Sequence, residues 1–269
     1  KGLFRVSFVP PSIIQQLRPY NRKIINLNKE IRRSEQGMDL ILQQCNIRLS
    51  NYLSDIGCKL MKKVVQAIAD NNLDPDYLLS LVHARIVRKQ SPNTIRSSLT
   101  RTFTPAGIDM LKLTVEDINF HQQQIEFCKQ KLLASCHRYF NPQMELLVTI
   151  PGVKEHTAAC IISKIGTDMK FFTSAKAKVG WAGLRPRNGQ SAGMIKGRKT
   201  LHGNKYLQLM LIQCAWGASR TKGSTFMARY QRLRKRIHHN KALIANARKI
   251  LVVTWNILAK KEPYFAKAA

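Results

Sequence analysis

Ser191 is the residue of this sequence whose type and surroundings could support covalent chemistry. It lies between Gly189 and Gly193, and five cations are close to it in the chain: Arg185, Arg187, Lys196, Arg198 and Lys199. A serine hydroxyl becomes a nucleophile only when its surroundings activate it, and cations and backbone N–H groups can stabilise a pentavalent phosphoryl transition state. From the residues alone, two interpretations of Ser191 remain open. It is either a nucleophile for phosphoryl transfer or a turn serine in a phosphate-binding loop. The residues favour the turn serine, because flexible Ser/Gly loops are common.

The segment around Ser191 contains no carboxylate. No acidic residue occurs between Asp168 and Glu262, and this window of 93 residues contains 21 Lys or Arg residues. Carboxylates that bind a divalent metal or act as a general base therefore cannot come from it, and chemistry there must rest on hydroxyls, amides and cations. A field of one sign repels itself unless a polyanion neutralises it. The window therefore predicts nucleic acid as the partner.

A second candidate site is the segment Ile150-Pro151-Gly152-Val153. The pattern predicts that one helix ends, a Pro-Gly turn reverses the chain and a second helix begins, and Gly152 permits close backbone approach. The amides at the start of the second helix favour a phosphate. The segment resembles the helix-hairpin-helix of DNA repair and recombination proteins, which grips backbone without reading sequence. In that role Lys154 and Lys164 would contact phosphates, whereas the alternative is an ordinary helix turn.

The C-terminal part of the chain predicts two basic helices, over residues 225–237 and 241–260. Each has an apolar stripe that predicts a core-facing side. Because no acids are available for ion pairs, we expect the cations to follow phosphates: Arg232, Arg234, Lys235 and Arg236, together with Lys205 in the preceding helix. If about ten phosphates are contacted, the affinity should fall with a log–log salt slope near −9.

The composition of the whole chain supports a folded, cationic protein. It has 269 residues, a net charge of +30 and 44% hydrophobic residues, so disorder is not the default. A membrane surface is the rival partner, but no uninterrupted apolar run approaches about 18–20 residues, so no membrane span is expected. The six cysteines include no CxxC pair and predict reduced thiols in a cytosolic protein. The chain has no paired Cys/His groups at ligand spacing, so no metal site is expected in it.

Long helical segments precede these candidate sites. Apolar spacings of three, four and seven predict one helix over 13–53 and a second over roughly 107–139, with a shorter helix over 58–70 between them. Asp74 is the predicted N-cap before Pro75. The two long helices with a small cap predict an antiparallel coiled-coil arm, with two ordinary helices of one bundle as the alternative.

The pattern of predicted elements changes after Asn141-Pro142. Residues 143–167 predict helix, turn, helix, and residues 180–203, with six glycines, predict short strands and tight turns. Asn204 is the predicted cap of a helix over 205–219. The predicted architecture is therefore mainly α: an extended linker over 1–12, a coiled-coil arm over 13–140, and a helical domain over 141–269 that includes a helix-hairpin-helix and a short β/loop insert.

Several motifs, in this order, resemble the C-terminal domain of the insertion-sequence transposases related to the Piv DNA invertase, which are RNA-guided "bridge" recombinases. The resemblance covers about residues 143–264, and residues 1–140 more weakly resemble the linker and coiled coil of this family. The motifs begin with Ile150-Pro-Gly-Val, Trp181-Ala-Gly-Leu-x-Pro-Arg and Ser191-Ala-Gly, and continue with Gly203-Asn-Lys-x-Leu, Ala242-Leu-Ile-Ala-x-Ala-Arg-Lys-Ile-Leu and Pro263-Tyr264.

The resemblance implies a DNA transposase or site-specific recombinase. By its position after Pro186-Arg187, Ser191 matches the serine that joins covalently to DNA in this family, so the resemblance reverses the preference stated above and makes Ser191 the expected nucleophile. Full-length members begin with a RuvC-like domain whose DEDD acids bind metal. The acids here show no such context, so we expect that domain to be missing. Mg²⁺ is then expected only with it, and this chain alone should bind nucleic acid without cutting it.

The expected partners are DNA, a guide RNA and further copies of the chain, as a dimer or tetramer. The setting would be the cytoplasm of a bacterium or archaeon, in association with the nucleoid. The charge of 84–105 and 225–241 would suit an RNA stem, which is recognised mostly through shape and backbone. A non-catalytic nucleic-acid scaffold explains the charge, the hairpin and the arm equally well, but it does not explain why Ser191 lies inside a multi-motif match. Membrane-surface binding by basic amphipathic helices is a weaker alternative.

Overall fold

In a computed structural model the chain is mainly α-helical, which confirms the predicted fold class. The structure describes residues 10–100, 103–172, 174–187, 189–197 and 200–265, and for 190, 191 and 195–197 it describes the backbone alone. The described residues fall into two compact units. Unit 1 is the described part of 1–21 and 129–269, and unit 2 is the described part of 22–128. These limits differ from the domain boundaries expected at residues 12 and 140, which stay a prediction.

The helices and strands are, in chain order, α1 Ser12–Gln44, a 3-10 helix Leu49–Tyr52, α2 Lys59–Ala69, α3 Pro75–Ser80, α4 Ala84–Gln90, α5 Pro92–Leu99, α6 Pro105–Val148, α7 Glu155–Ile165, α8 Ala175–Trp181, β1 Gly189–Ser191, β2 Met194–Gly197, α9 Lys205–Arg220, α10 Thr225–Arg234 and α11 His239–Lys260.

The first long helix is shorter than the apolar spacing predicts. It ends at Gln44 rather than near residue 53, so the prediction of one continuous helix there is wrong. Asn46 adopts a left-handed φ of 59°, and the amide of Ile47 donates to the carbonyl of Leu42 at 2.8 Å. This bond over five residues, with asparagine in the left-handed conformation, is a common way to terminate a helix. The helix also accommodates Pro19 in its second turn.

The second long helix continues past its predicted end at residue 139. It runs to Val148, but Phe140 has non-helical angles of φ −138° and ψ 25°. Two helical pieces therefore meet at this kink. Pro142 follows two residues later, and a proline inside a helix removes a backbone donor and clashes with the carbonyl four residues before it, which kinks the helix. The sequence change at 141–142 thus marks a bend within α6 rather than the end of the helix.

Buried residues in α1 and α6 recur at intervals of three, four and seven within unit 2. In α1 they include Ile24, Leu27, Ile31, Met38 and Leu42, and in α6 Leu111, Ile118, Ile125 and Cys128. Such intervals are those of a coiled-coil seam, but the antiparallel coiled coil itself stays a prediction. The acidic Glu35 is also buried on α1, where Lys62 Nζ lies 3.1 Å and Arg32 Nη1 2.9 Å from its carboxylate oxygens.

Short helices enclose the core of unit 2. Residues Val64, Val65 and Ile68 of α2 pack with Leu78, Ile95 and Leu99 from α3 and α5. The predicted cap at Asp74 is confirmed, because its carboxylate accepts hydrogen bonds from the amides of Asp76 and Tyr77. A carboxylate at this position satisfies amides that the first helical turn leaves without partners.

Unit 1 is built around α9 and α11. Helix α11 packs against α8, α9 and α10, and α9 also contacts α7. Among the described residues, α11 is the one helix whose length and composition would allow it to cross a membrane, but 56% of that window is buried. The sequence predicted no membrane-spanning segment because it contains no long apolar run, and in α11 the residues Asn246, Arg248 and Lys249 interrupt the run. Its burial against three helices is that of a core helix.

The first turns of α1 also belong to unit 1. Asn21 and Ser163 are both buried, and Asn21 Nδ2 donates to Ser163 Oγ at 2.9 Å. The Ser163 hydroxyl in turn donates to the carbonyl of Cys160. Arg18 Nε donates to the carbonyl of Ser163 at 3.3 Å. These bonds hold the start of α1 against α7, and they satisfy polar groups that would be costly to bury unpaired.

Candidate nucleic-acid interface

The predicted turn at Ile150–Val153 joins the end of α6 to the start of α7. Gly152 has a φ of +83°, which L-residues with a side chain rarely adopt. A Cβ atom built there would lie 2.5 Å from the carbonyl oxygen of Cys214 and 2.6 Å from the amide nitrogen of Ala218. The close approach that the glycine permits is therefore made to the backbone of α9. A phosphate contact at Gly152 stays a prediction.

The two lysines assigned to this turn have different surroundings. Lys154 is exposed at the N-cap of α7. Lys164 is only 5% exposed, and its ammonium lies 5.0 Å from the centre of the Tyr206 ring. The first turn of α7 also carries the Glu155 carboxylate, and a negative charge there repels phosphate. Of these residues we therefore retain Lys154 for the proposed interface.

The described residues of 183–204 form a hairpin arm that is closed at its base. Gly183 and Gly203 lie so close that a side-chain carbon on Gly203 would overlap the backbone of Gly183. Gln208 Nε2 donates to the carbonyl of Gly183 at 3.3 Å, and the amide of Leu201 donates to the carbonyl of Arg185 at 3.0 Å. These contacts hold the two ends of the arm together beside Asn204, the N-cap of α9.

The predicted short strands are confirmed. Strands β1 and β2 pair antiparallel, with Ser191 opposite Met194 and Gln190 opposite Ile195. Ala192 and Gly193 have φ values of 49° and 76°, which is the pattern of a two-residue type I′ turn. Ser191 is thus the last residue of β1, directly before the tip of the arm.

The cations assigned to the Ser191 segment are only partly described. Arg185 and Arg187 are exposed near the base of the arm. The side chains of Ser191 and Lys196 are outside the described residues, as are Arg198 and Lys199 entirely. The structure therefore gives the backbone position of Ser191 and leaves the geometry of its hydroxyl, and its role as nucleophile, a prediction.

The basic C-terminal helices present their predicted cations to solvent. Arg232 and Arg234 end α10, Lys235 is its C-cap and Arg236 follows, and all four are exposed. Lys205 is exposed at the first position of α9, after the confirmed N-cap Asn204, whose side chain accepts from the amide of Leu207. Because residues 169–261 contain no acidic residue, these cations have no carboxylate within their own segment to pair with.

Sequence reasoning placed Arg229 and Arg248 on the basic faces of the C-terminal helices, but it did not single out Arg220, a further cation of unit 1. Burial lowers the pKa of Arg229 on α10, and the positive charges of Arg232 on α10 and Arg248 on α11 lower it further. Arg220 lies with its guanidinium carbon 4.5 Å from the centre of the exposed Trp216 ring, in an arrangement that attracts a cation to an aromatic face. The spacing of three between Arg229 and Arg232 could have indicated a shared helix face, but no pattern in the sequence links Arg248 to them.

Lys178 is a buried lysine with no counterion in its own segment. It is 0% exposed, and its ammonium nitrogen lies 2.9 Å from the sulfur of Met169 and 5.2 Å from the centre of the Phe172 ring. Burial lowers the pKa of Lys178 to about 7, because a low-dielectric environment disfavours the charged form. Burial likewise raises the pKa of Cys136, Cys160 and Cys214 to about 12, so these free thiols are unreactive.

Residues 144–231 match the model of the IS116/IS110/IS902 transposase family. This segment of the chain is therefore similar to a domain of that transposase family. The match includes the α6–α7 turn, the hairpin arm with Ser191, all of α9 and most of α10. The matched segment thus contains the candidate nucleophile and most of the predicted phosphate contacts.

Two curated proteins are also similar to part of the chain. The chain is 30% identical over 135 residues to the pilin gene-inverting protein of Moraxella bovis and, at the same identity, to that of Moraxella lacunata. The similarity covers 49% of this chain and 42% of each relative. The chain thus spans less than half of the length of the curated relatives that it matches.

Proposed function

We propose that this chain is the serine-bearing, nucleic-acid-binding part of a DNA recombinase that acts on an insertion sequence. The observation that carries the proposal is the position of Ser191 directly before the tip of a hairpin arm with a closed base, within the segment that matches the transposase family. Relatives whose name describes the inversion of a pilin gene support rearrangement of DNA as the reaction class. The setting we propose is the cytoplasm, where the chromosome is accessible.

The proposed reaction is a transesterification at a DNA phosphodiester. Ser191 Oγ attacks phosphorus, a P–O bond to serine forms and one P–O bond to a deoxyribose breaks. The proton lost from the serine hydroxyl is balanced by the proton gained by the released sugar oxygen. A deoxyribose hydroxyl then attacks the phosphorus of the serine–DNA ester. The P–O bond to serine breaks, the serine hydroxyl is restored, and a DNA strand is rejoined. Because each step exchanges one ester for another, rejoining requires no nucleotide cofactor.

The arrangement of unit 1 supports this chemistry through electrostatics. The exposed Arg185 and Arg187 lie within the arm near its base, and the exposed Lys205 directly follows the arm. The segment that contains the arm has no carboxylate. Positive charge held in place before the reaction stabilises the extra negative charge of the transition state without reorganisation. A hairpin with a closed base limits the positions that Ser191 can reach, which favours attack in line with the leaving oxygen.

Metal ions in such a reaction would come with other parts of the recombinase. The described residues contain no group of three or more His, Cys, Asp or Glu side chains that could hold a metal ion. The part of the chain that the structure describes therefore does not provide a fit for Mg²⁺, and we derive no step through it. If Mg²⁺ takes part, its carboxylate ligands would belong to a RuvC-like domain, as the family resemblance implies.

We further propose that the recombinase binds a guide RNA and works as a dimer or tetramer. Helix α4 supports RNA binding, because it carries Arg85, Arg88 and Lys89 and buries none of its residues. Such an exposed basic helix is suited to the backbone of an RNA stem. An oligomer can hold two DNA duplexes at once, as recombination requires. Gel filtration with and without RNA would measure the oligomeric state.

The experiment is strand transfer by the recombinase that contains this sequence, with wild type compared with Ser191→Ala and Ser191→Cys. We expect Ser191→Ala to abolish both strand transfer and the covalent protein–DNA adduct, while DNA affinity stays within about twofold of the wild type. The adduct in the wild type should map to residue 191 by mass spectrometry. Ser97→Ala, at an exposed serine of α5, is the matched control and should retain full activity.

Two outcomes would contradict the proposal in different ways. Strand transfer that persists in Ser191→Ala removes the nucleophile assignment and leaves the similarity to the transposase family in place. If no preparation of the recombinase transfers strands but the chain still binds DNA and RNA, the non-catalytic scaffold becomes the better account.

A further inference from the structure

The solvent-facing side of α9 carries two exposed aromatic rings. Tyr206 is 36% exposed and Trp216 is 44% exposed, and Leu209 and Gln213 are exposed between them. With Arg220, these residues follow one another at intervals of three and four, which places them on one side of a helix. These five residues are called the α9 face. The buried residues of the helix, which pack into unit 1, occupy other positions.

A cation lies close to each of the two rings. The guanidinium carbon of Arg220 lies 4.5 Å from the centre of the Trp216 ring, and the ammonium of Lys164 lies 5.0 Å from the centre of the Tyr206 ring. The face of an aromatic ring attracts a cation at such a distance. The ring of His239 also meets that of Trp216 at 84°, with centroids 6.1 Å apart. Trp216 is therefore held in place by neighbours and still has surface available for a further contact.

The charges around the α9 face favour a strand of nucleic acid as its occupant over an apolar protein surface. No acidic residue occurs in 169–261, and the face begins after the exposed Lys205 and ends at the exposed Arg220. A protein that covered the rings would also remove water from these cations, and burial of a charge without a partner is costly. A nucleic-acid strand supplies phosphates for the cations and flat bases for the rings.

The bases that can stack on the α9 face belong to an unpaired strand. In a duplex each base is already stacked on its neighbours, and a protein ring gains access to it only after it is unstacked. Helix α9 starts directly after the hairpin arm that carries Ser191, and Gln208 Nε2 ties the helix to the base of the arm through the carbonyl of Gly183. The α9 face is thus continuous along the chain with the proposed reaction site.

We propose that the α9 face is a stacking platform for unpaired nucleotides, with one base on Trp216 and another on Tyr206. The inference rests on the nucleic-acid binding proposed above and adds to it a contact with bases. The two rings are ten residues apart, about 15 Å along a helix, so they contact different nucleotides. Because every base has a flat aromatic side, the platform accepts strands of any sequence.

The test is the affinity of the chain for an oligothymidylate of about twelve nucleotides, for a strand of equal length without bases, and for a duplex. Wild type is compared with Trp216→Leu, which stays apolar but loses the ring, and with Trp216→Phe, which keeps a ring. We expect Trp216→Leu to bind oligothymidylate about tenfold more weakly and Trp216→Phe to recover most of this loss. Both variants should bind the strand without bases and the duplex as the wild type does. The log–log salt slope should not change, because no charge is removed.

The second ring gives an independent measurement. We expect Tyr206→Leu to weaken the binding of oligothymidylate about fivefold. Because the two rings are well separated, the losses should multiply to about fiftyfold in the double variant. Tyr139→Leu is the matched control, since Tyr139 is an exposed tyrosine of unit 1 whose ring centre lies 5.2 Å from the guanidinium carbon of Arg138 but which belongs to α6. It should bind every probe as the wild type does.

Photochemical crosslinking identifies the stacked residues directly. A single strand that contains 5-iodouracil should, on irradiation, become joined to Trp216 or Tyr206, and mass spectrometry of the digested adduct would locate the bond. The affinity measurements are repeated with oligouridylate. A loss of affinity with the DNA strand alone, or with the RNA strand alone, supports the platform and identifies the strand that it holds.

Two results would overturn the inference and leave nucleic-acid binding standing. If Trp216→Leu and Tyr206→Leu bind both kinds of single strand with wild-type affinity, the face does not contact bases and is assigned to a protein partner. If the variants lose as much affinity for the strand without bases as for oligothymidylate, the contact is made to phosphates rather than to bases. A wild-type chain that binds neither DNA nor RNA at low salt would instead overturn the proposed function itself.

Discussion

Replacement of Gly152 by alanine tests the packing of the α6–α7 turn on α9. The added methyl group would require L-alanine to adopt a φ of +83°, which is unfavourable by about 1–2 kcal/mol. It would also lie 2.5 Å and 2.6 Å from two backbone atoms of α9, and relief of such overlap in a packed core costs about 1–3 kcal/mol. We therefore expect Gly152→Ala to lower the free energy of unfolding of unit 1 by about 2–5 kcal/mol.

Tryptophan fluorescence during urea unfolding isolates this effect. The chain has three tryptophans, Trp181, Trp216 and Trp255, and all of them belong to unit 1. With a urea dependence of about 2 kcal/mol per molar, the midpoint should fall by about 1–2.5 M. The measurement is made without nucleic acid, so a purely phosphate-binding role for Gly152 predicts no change.

Two glycine variants serve as controls for Gly152→Ala. Gly223 also has a positive φ of +73°, but a Cβ there meets no atom within 4 Å, so Gly223→Ala should show the backbone strain alone, about 1–2 kcal/mol. Gly37 lies in α1 within unit 2, with open space around it, and Gly37→Ala should leave the fluorescence transition unchanged. If Gly152→Ala and Gly223→Ala have equal midpoints, the close packing of the turn on α9 is refuted.

Two further predictions concern buried polar groups of unit 1. Because the pKa of Lys178 is about 7 in the folded chain and 10.5 in the unfolded chain, the unfolded chain binds more protons between these values and stability rises with pH. From pH 7 to 8.5 the free energy of unfolding should increase by up to about 1.5 kcal/mol. The variant Lys178→Met, measured by the same urea titration, should lack this increase. An equal pH dependence of stability in both proteins would contradict the prediction. Asn21→Ala should lower the free energy of unfolding by about 1–2 kcal/mol, and a double-mutant cycle with Ser163→Ala that gives zero coupling would argue against the hydrogen bond between them.

The parts of the fold that the sequence predicted well are those governed by local chemistry. Asp74 before Pro75 and Asn204 before α9 are capping residues whose side chains satisfy the first amides of a helix, and they were identified from residue type alone. The short strands around Ser191 followed from glycine content. The end of α1 was missed because it depends on a single asparagine in a left-handed conformation, which apolar spacing does not register.

The candidate site could be predicted in composition but only partly in geometry. An acid-free cationic window is visible in any count of residues, whereas the burial of Lys164 depends on its contact with Tyr206, which is 42 positions away in the chain. The same holds for Gly152: its residue type predicted a close approach, but the partner, the backbone of α9, is set by tertiary packing. A sequence therefore indicates which residues are available for phosphate, and the packing decides which of them remain exposed to it.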